Sequence, residues 1–147
     1  LNDLKANGVK IVSSNSEVRR LVARGEVKVG ITDTDDANVA VREGSAVKIV
    51  YPDQSGMGTL IMPNMVCLIK NSTNQENGKK LIDYLVSSEV EKSLAFAMCA
   101  QMPLRHYVRT PADVLTIAAI KGMDINYQDV AVKLDKISEF LKQWAGY

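Results

Sequence analysis

Residues 24–36, RGEVKVGITDTDD, constrain the fold of this chain more than any other stretch. Val27, Val29 and Ile31 alternate with Lys28 and Gly30, the period-two pattern of a strand, and Gly25 ahead of them marks the end of a preceding helix. Asp33, Thr34, Asp35 and Asp36 follow where the next helix should begin. Open α/β sheets place their ligands at the carboxyl ends of strands, so this arrangement has the form of a site. Capping accounts for part of the same pattern, because Asp and Thr satisfy free N–H groups at a helix start and suit the positive end of its dipole. The run TDTDD carries more carboxylate than a cap requires, which makes Thr32, Asp33, Thr34, Asp35 and Asp36 candidate ligand residues.

The flanking segments extend the alternation of helix and strand. Residues 1–7 read as helix, Gly8 ends the turn, and 9–12 read as a short strand. Ser14 and Glu17 form an S-x-x-E capping box ahead of Val18, Leu21 and Val22 at helical spacing. After the strand at 27–32, a helix over 35–43 stops at Gly44 and AVKIVY at 46–51 reads as another strand. This order predicts an α/β fold with a parallel or mixed sheet and flanking helices. PDQSGMG at 52–58 is a turn, and TLIM and NMVCLIK, separated by Pro63, are apolar on both faces and predict buried or lobe-crossing strands. Thr73 with Glu76 and Ser88 with Glu91 repeat the capping box, starting helices that carry Leu81, Ile82, Tyr84 and Leu85, then Val90, Leu94 and Met98. Residues 101–111 are irregular, and Asn126 caps a last helix with Val130, Leu134, Ile137, Leu141 and Trp144 along one stripe.

Bulk composition narrows the function. At 147 residues with 46% apolar content the chain can build a real core, and a formal charge of +1 gives no field to recruit nucleic acid. No apolar run is long enough to span a bilayer, and no signal segment is seen. Leu1 opens what reads as a helix already under way, so the chain is expected to be a mature product or a fragment. Cys67 and Cys99 match no metal spacing and sit among apolar neighbours, the pattern of buried free thiols, with a disulfide as the lesser alternative. The single histidine, His106, has no nucleophile elbow or metal-binding helix to work with, and G-x-G at 56–58 lacks the rest of a dinucleotide fingerprint. Met57, Met62 and Met65 cluster near Pro63 and read as packing residues rather than copper ligands.

GEVKVGITDTDDA, VKIVYPDQSGMGTLIMPNMVCLIK, NGKKLIDYLVSSEVEKSLA and QMPLR, in that order, resemble the carboxyl-terminal half of periplasmic solute-binding proteins of ABC importers, in the ferric-iron-binding-protein-like group of the type II fold. The resemblance implies two lobes joined by hinge strands. Residues 1–56 and 105–147 would belong to the second lobe and 57–104 to the first, with crossings near 59–64 and 103–105. It implies a periplasmic or extracellular location, with or without a lipid anchor, and a membrane permease as partner. The group's iron binders place two adjacent tyrosines where this chain has Asp35 and Asp36, so ferric binding through a tyrosine pair is not carried over.

The leading expectation is therefore a binding module that performs no chemistry and needs no cofactor. It would capture a small polar solute such as a sugar, sugar phosphate or metal species at Thr32, Asp33, Thr34, Asp35 and Asp36 with Asp53 and Thr59 of the following loop. Carboxylates accept hydrogen bonds from hydroxyls or an amine, and Asp35 with Asp36 would be the ligands of any hard cation. The alternatives are a metal-assisted hydrolase using the aspartate cluster and a fragment with no ligand of its own. The two-sided strands further predict that the chain self-associates or pairs with the rest of a longer protein.

Overall fold

Side-chain caps start four of the helices in this computed structural model, which describes all 147 residues. After α1 (Asn2–Ala6), Ser14 accepts from the Glu17 N–H to open α2 (Asn15–Ala23), and Asp33 accepts from the Asp36 N–H to open α3 (Thr34–Arg42). Gly25 and Gly44 end α2 and α3 in the left-handed region, at φ of 73° and 79°, where a side chain would be strained. The next pair, α4 (Gln75–Leu85) and α5 (Ser88–Phe96), departs from the expected capping boxes. Asn74 rather than Thr73 precedes α4 and makes no capping bond, while Ser87 rather than Ser88 caps α5 through the Val90 N–H. Glu91 is then free to turn toward the 103–105 segment. A 3₁₀ turn at Ile117–Ala119 leads to α6 (Tyr127–Ala145), where Asn126 accepts from both Gln128 and Asp129 as its sequence predicts.

The expected mixed α/β sheet is not formed. The only β pairing is an isolated parallel bridge between Thr59 and Gly122. Residues 28–32, 48–51 and 60–68 exchange no main-chain hydrogen bonds at all. Alternation of apolar residues predicts extended backbone, but a strand also needs a neighbour that completes its ladder, and no segment of this chain hydrogen-bonds to these runs to do so. Asp33 to Asp36 consequently start a helix that follows an unpaired segment, not the end of a sheet strand.

Local packing replaces a shared core. α2 packs on α3 and α4 on α5. Residue 30 passes so close over α2 that a Cβ there would fall 2.4 Å from Val18 and 2.8 Å from Val22, so only glycine fits. The buried apolar residues are Ala40, Ala95, Ala100, Val114 and Ile120, most of them small. Tyr84 and Ile137, expected in the interior, are exposed, as are Met57, Met62 and Met65. Both cysteines are free, and Cys67 is exposed rather than buried. The total accessible surface is 11291 Å². A compact monomer of 16.1 kDa would expose about 7,400 Å².

Candidate functional site

The start of α3 spends its three carboxylates differently. Asp33 Oδ1 accepts the Asp36 N–H at 3.2 Å, and its other oxygen accepts the Asn15 side-chain amide at the start of α2. Asp36 faces Arg19, whose Nε stands 3.2 Å from Asp36 Oδ1 while its terminal nitrogen reaches Glu43 at 3.3 Å. The Arg19 Nε–H is nevertheless buried without an aligned acceptor, so this contact is a charge pair rather than a good hydrogen bond. Thr32 donates its hydroxyl to the Asn15 carbonyl at 3.3 Å. Asp35 has no cation beside it. Burial first, then hydrogen bonding to the Asp33 carboxyl and the charges of Asp33 and Asp36, raise its pKa above the ordinary carboxylate value.

Asp53 and Thr59 belong to a separate polar knot. Asp53, at φ 54°, accepts the Met57 N–H on its carboxylate at 2.7 Å and the Gly56 and Gly58 N–H groups on its carbonyl. Gln54 reaches across the turn, donating to Thr59 Oγ1 at 2.8 Å and to the Lys121 carbonyl at 3.2 Å while accepting the Lys121 N–H at 2.8 Å. Thr59 closes the knot by donating to the Pro52 carbonyl at 2.9 Å. No hydrogen bond or ion pair joins this knot to Asp33, Thr34, Asp35 or Asp36. No set of three or more His, Cys, Asp or Glu side chains is placed to hold a metal ion.

A concavity that the sequence did not signal includes Asn38 of α3 in its lining. Asn38, Ile49, Tyr51, Asp113, Val114 and Leu115 line about 150 Å³ of open space, below the ~300 Å³ at which small-molecule sites usually begin. Burial raises the Tyr51 pKa. Asn38 donates to the Ala100 carbonyl at 3.1 Å, and Arg42 donates to the Ala97 carbonyl and pairs with Asp113 at 3.2 Å. These contacts join residues far apart in sequence, so no local motif could announce them.

The 103–105 segment is pinned by one acid. Glu91 accepts the Leu104 N–H and the Arg105 guanidinium, each at 2.8 Å, and Arg105 also donates to the Val86 carbonyl at 2.7 Å. Burial works to raise the Glu91 pKa, but the bonds and charge of Arg105 with the Leu104 N–H outweigh it and hold the carboxyl below its ordinary value. His106 packs edge-on against Tyr107 at 5.6 Å.

A family model described as bacterial extracellular solute-binding protein matches residues 1–121. The chain belongs to this family. Its curated relatives include proteins of Salmonella typhimurium, Salmonella paratyphi A and Salmonella typhi that carry the provisional name 2-aminoethylphosphonate-binding periplasmic protein. Each is 32% identical to this solute-binding chain over 91% of its length. The chain spans 42% of the length of those relatives. No solved structure matches it. No helix is long and apolar enough to cross a membrane.

Proposed function

We propose that this chain forms part of a periplasmic or extracellular solute-binding protein that delivers a small zwitterion, an amine joined to a phosphonate, to an ABC-importer permease. The observation that carries the reading is the 32% identity, spread over 91% of the chain, to relatives named for 2-aminoethylphosphonate. Local chemistry supports it at one end of the solute. Asp35 is half-buried, has no cation of its own, and has its pKa raised first by burial and then by the Asp33 and Asp36 carboxyls, so an ammonium group would stabilise its charged form. Asp33 and Asp36 contribute field rather than direct contact, since their oxygens are engaged by Asn15, the Asp36 N–H and Arg19. Binding and release require no bond to be broken in the solute, so the protein acts without catalysis.

In the same reading the segments 1–56 and 105–147 form one lobe and 57–104 the other. The knot around Gln54 and Thr59 fixes one crossing, and the Glu91 and Arg105 pair fixes the second. The bonds from Asn38 and Arg42 to residues 97–100 then lie across the lobe boundary.

Titration calorimetry with 2-aminoethylphosphonate and with ethylphosphonate tests the assignment. The amine should improve affinity by tenfold or more, equivalent to about 1.4 kcal/mol, and Asp35→Asn should erase that difference. Equal affinity for the two compounds, or a preference for sugars or ferric ion, would remove the aminophosphonate assignment.

A further inference from the structure

We infer that Asn38 and Arg42 form a clasp between the two lobes, one whose making and breaking sets how far the solute-binding cleft stands open. The inference rests on the lobe division proposed above, 57–104 against 1–56 and 105–147, and adds to it a device outside the hinge. Hydrogen bonds between these two bodies fall into two sets. The first lies beside the crossings, joining 57–61 to 52–54 and 121–127, and Arg105 to Val86 and Glu91. A bend at the crossings moves these partners little, because the chain itself keeps them near one another. The second set belongs to α3 alone. Asn38 donates to the Ala100 and Cys99 carbonyls at 3.1 and 3.4 Å, and Arg42 donates to the Ala97 carbonyl. These bonds must break for the lobes to part.

The clasp draws on the end of a helix. Ala97 is the residue at which α5 stops, so the Arg42 guanidinium meets the negative end of that helix and takes up a carbonyl that no further turn can use. Asp113, within the same lobe as Arg42, pairs with it at 3.2 Å and limits the positions its side chain can take. Ala100 adopts φ 46°, a left-handed conformation that alanine takes only where its surroundings hold it. Asn38 grips the carbonyl of this residue and of the one before it. Three of the five buried apolar residues, Ala40, Ala95 and Ala100, lie in the segments the clasp joins, and alanines hide little apolar area that would resist parting. The polar bonds therefore decide whether these segments stay together.

The clasp is tied to the solute through α3 itself. Asp35 stands one turn ahead of Asn38, and residues 35, 38 and 42 share a face of the helix, so the carboxylate and the clasp move as one rigid element. A weaker clasp lowers the fraction of closed molecules. Apparent affinity for anything held between the lobes then falls by the same factor, whatever its chemistry.

Small-angle scattering and titration calorimetry on the protein test the clasp. Asn38→Leu combined with Arg42→Met, which keep side-chain bulk, should raise the radius of gyration of the solute-free protein while the circular dichroism spectrum stays that of the parent. Affinities for 2-aminoethylphosphonate and for ethylphosphonate should each fall roughly tenfold, leaving their ratio unchanged. Arg42→Lys, which retains a cation and a donor, should fall between the parent and the double variant, and it carries the test if the double variant fails to fold. Arg19→Met, which loosens α3 from partners within its own lobe, should leave the radius unchanged. A parental radius after the clasp is removed, an equal expansion from Arg19→Met, or an affinity ratio that shifts with the clasp would each overturn it. A parent with no preference for the amine would remove the aminophosphonate assignment alone, since the radius is read without solute.

Discussion

Glu91 offers the sharpest energetic test, because one carboxylate of α5 accepts from two successive residues of the 103–105 segment. Its two oxygens accept one N–H from Leu104 and one from the Arg105 guanidinium, both at 2.8 Å. A hydrogen bond to a charged group contributes about 1.5–3 kcal/mol when shielded. The Glu91 side chain is 17% exposed and that of Arg105 38%, so the pair is screened and the lower end applies. Glu91→Ala should therefore cost about 1–2 kcal/mol at pH 7, and Glu91→Gln, which keeps an acceptor for Leu104, about half of that. The pH dependence carries the sign. Since the folded pKa lies below the ordinary 4.5, the charged form is favoured in the folded state, and the stabilisation is present above that value and lost as pH falls through the folded pKa. Urea unfolding of the parent and of Glu91→Gln should show a gap in midpoint at pH 7 that closes in strong acid. A gap of the same size at both pH values would mean that the loss is one of packing, and the electrostatic account of this contact would fail.

Asp35→Asn should leave stability unchanged or raise it by a few tenths of a kcal/mol at neutral pH, because burial and the neighbouring carboxylates disfavour its charge in the folded state. For that group stability increases as pH falls through the raised pKa, the reverse of Glu91, and thermal melts of the variant across pH 4–7 should show the increment shrinking toward acid. Asp33→Ala should cost about 1 kcal/mol by removing the α3 cap, read as a lower urea midpoint and faster amide exchange at Asp36. Gly58→Ala should abolish the bridge to Gly122, since residue 58 has φ 98° and its Cβ would lie 2.7 Å from the Lys121 carbonyl oxygen; protection of the Thr59 and Met123 amides reports the loss, and unchanged protection would refute it.

Helices were legible from sequence because their signals are local. Ser14 and Asn126 announce caps that form as expected, and Gly25 and Gly44 terminate helices in the conformation glycine favours. Where two candidate caps adjoined, sequence chose wrongly: Ser87 rather than Ser88 opens α5, because Glu91 has a stronger use accepting Leu104 and Arg105 than reaching back to a cap. The sheet was not obtainable in the same way. Val27, Val29 and Ile31 specify an extended backbone, yet whether a ladder forms depends on what lies beside them, which is a non-local property. The concavity at Asn38, Tyr51 and Asp113 was silent for the same reason, as its lining comes from three distant segments.

The acidic start of α3 shows why residue type alone divides poorly into cap and site. Asp33, Asp35 and Asp36 look alike in sequence, but a carboxylate already holding backbone N–H groups or a guanidinium has little free energy left to gain from a solute. Asp33 is committed to Asn15 and the Asp36 N–H, and Asp36 to Arg19. Asp35 has no cation partner, and burial with the Asp33 and Asp36 carboxyls outweighs its one backbone hydrogen bond to disfavour its charge. An ammonium ion arriving there replaces repulsion with attraction, whereas at Asp33 or Asp36 it would first have to displace an existing partner. The committed pair therefore has a second role, in keeping Asp35 close to other negative charge. Arg19→Met follows from that division: by freeing Asp36 it should strengthen the negative field at Asp35 while loosening the contact between α2 and α3, so that affinity for an amine rises as stability falls.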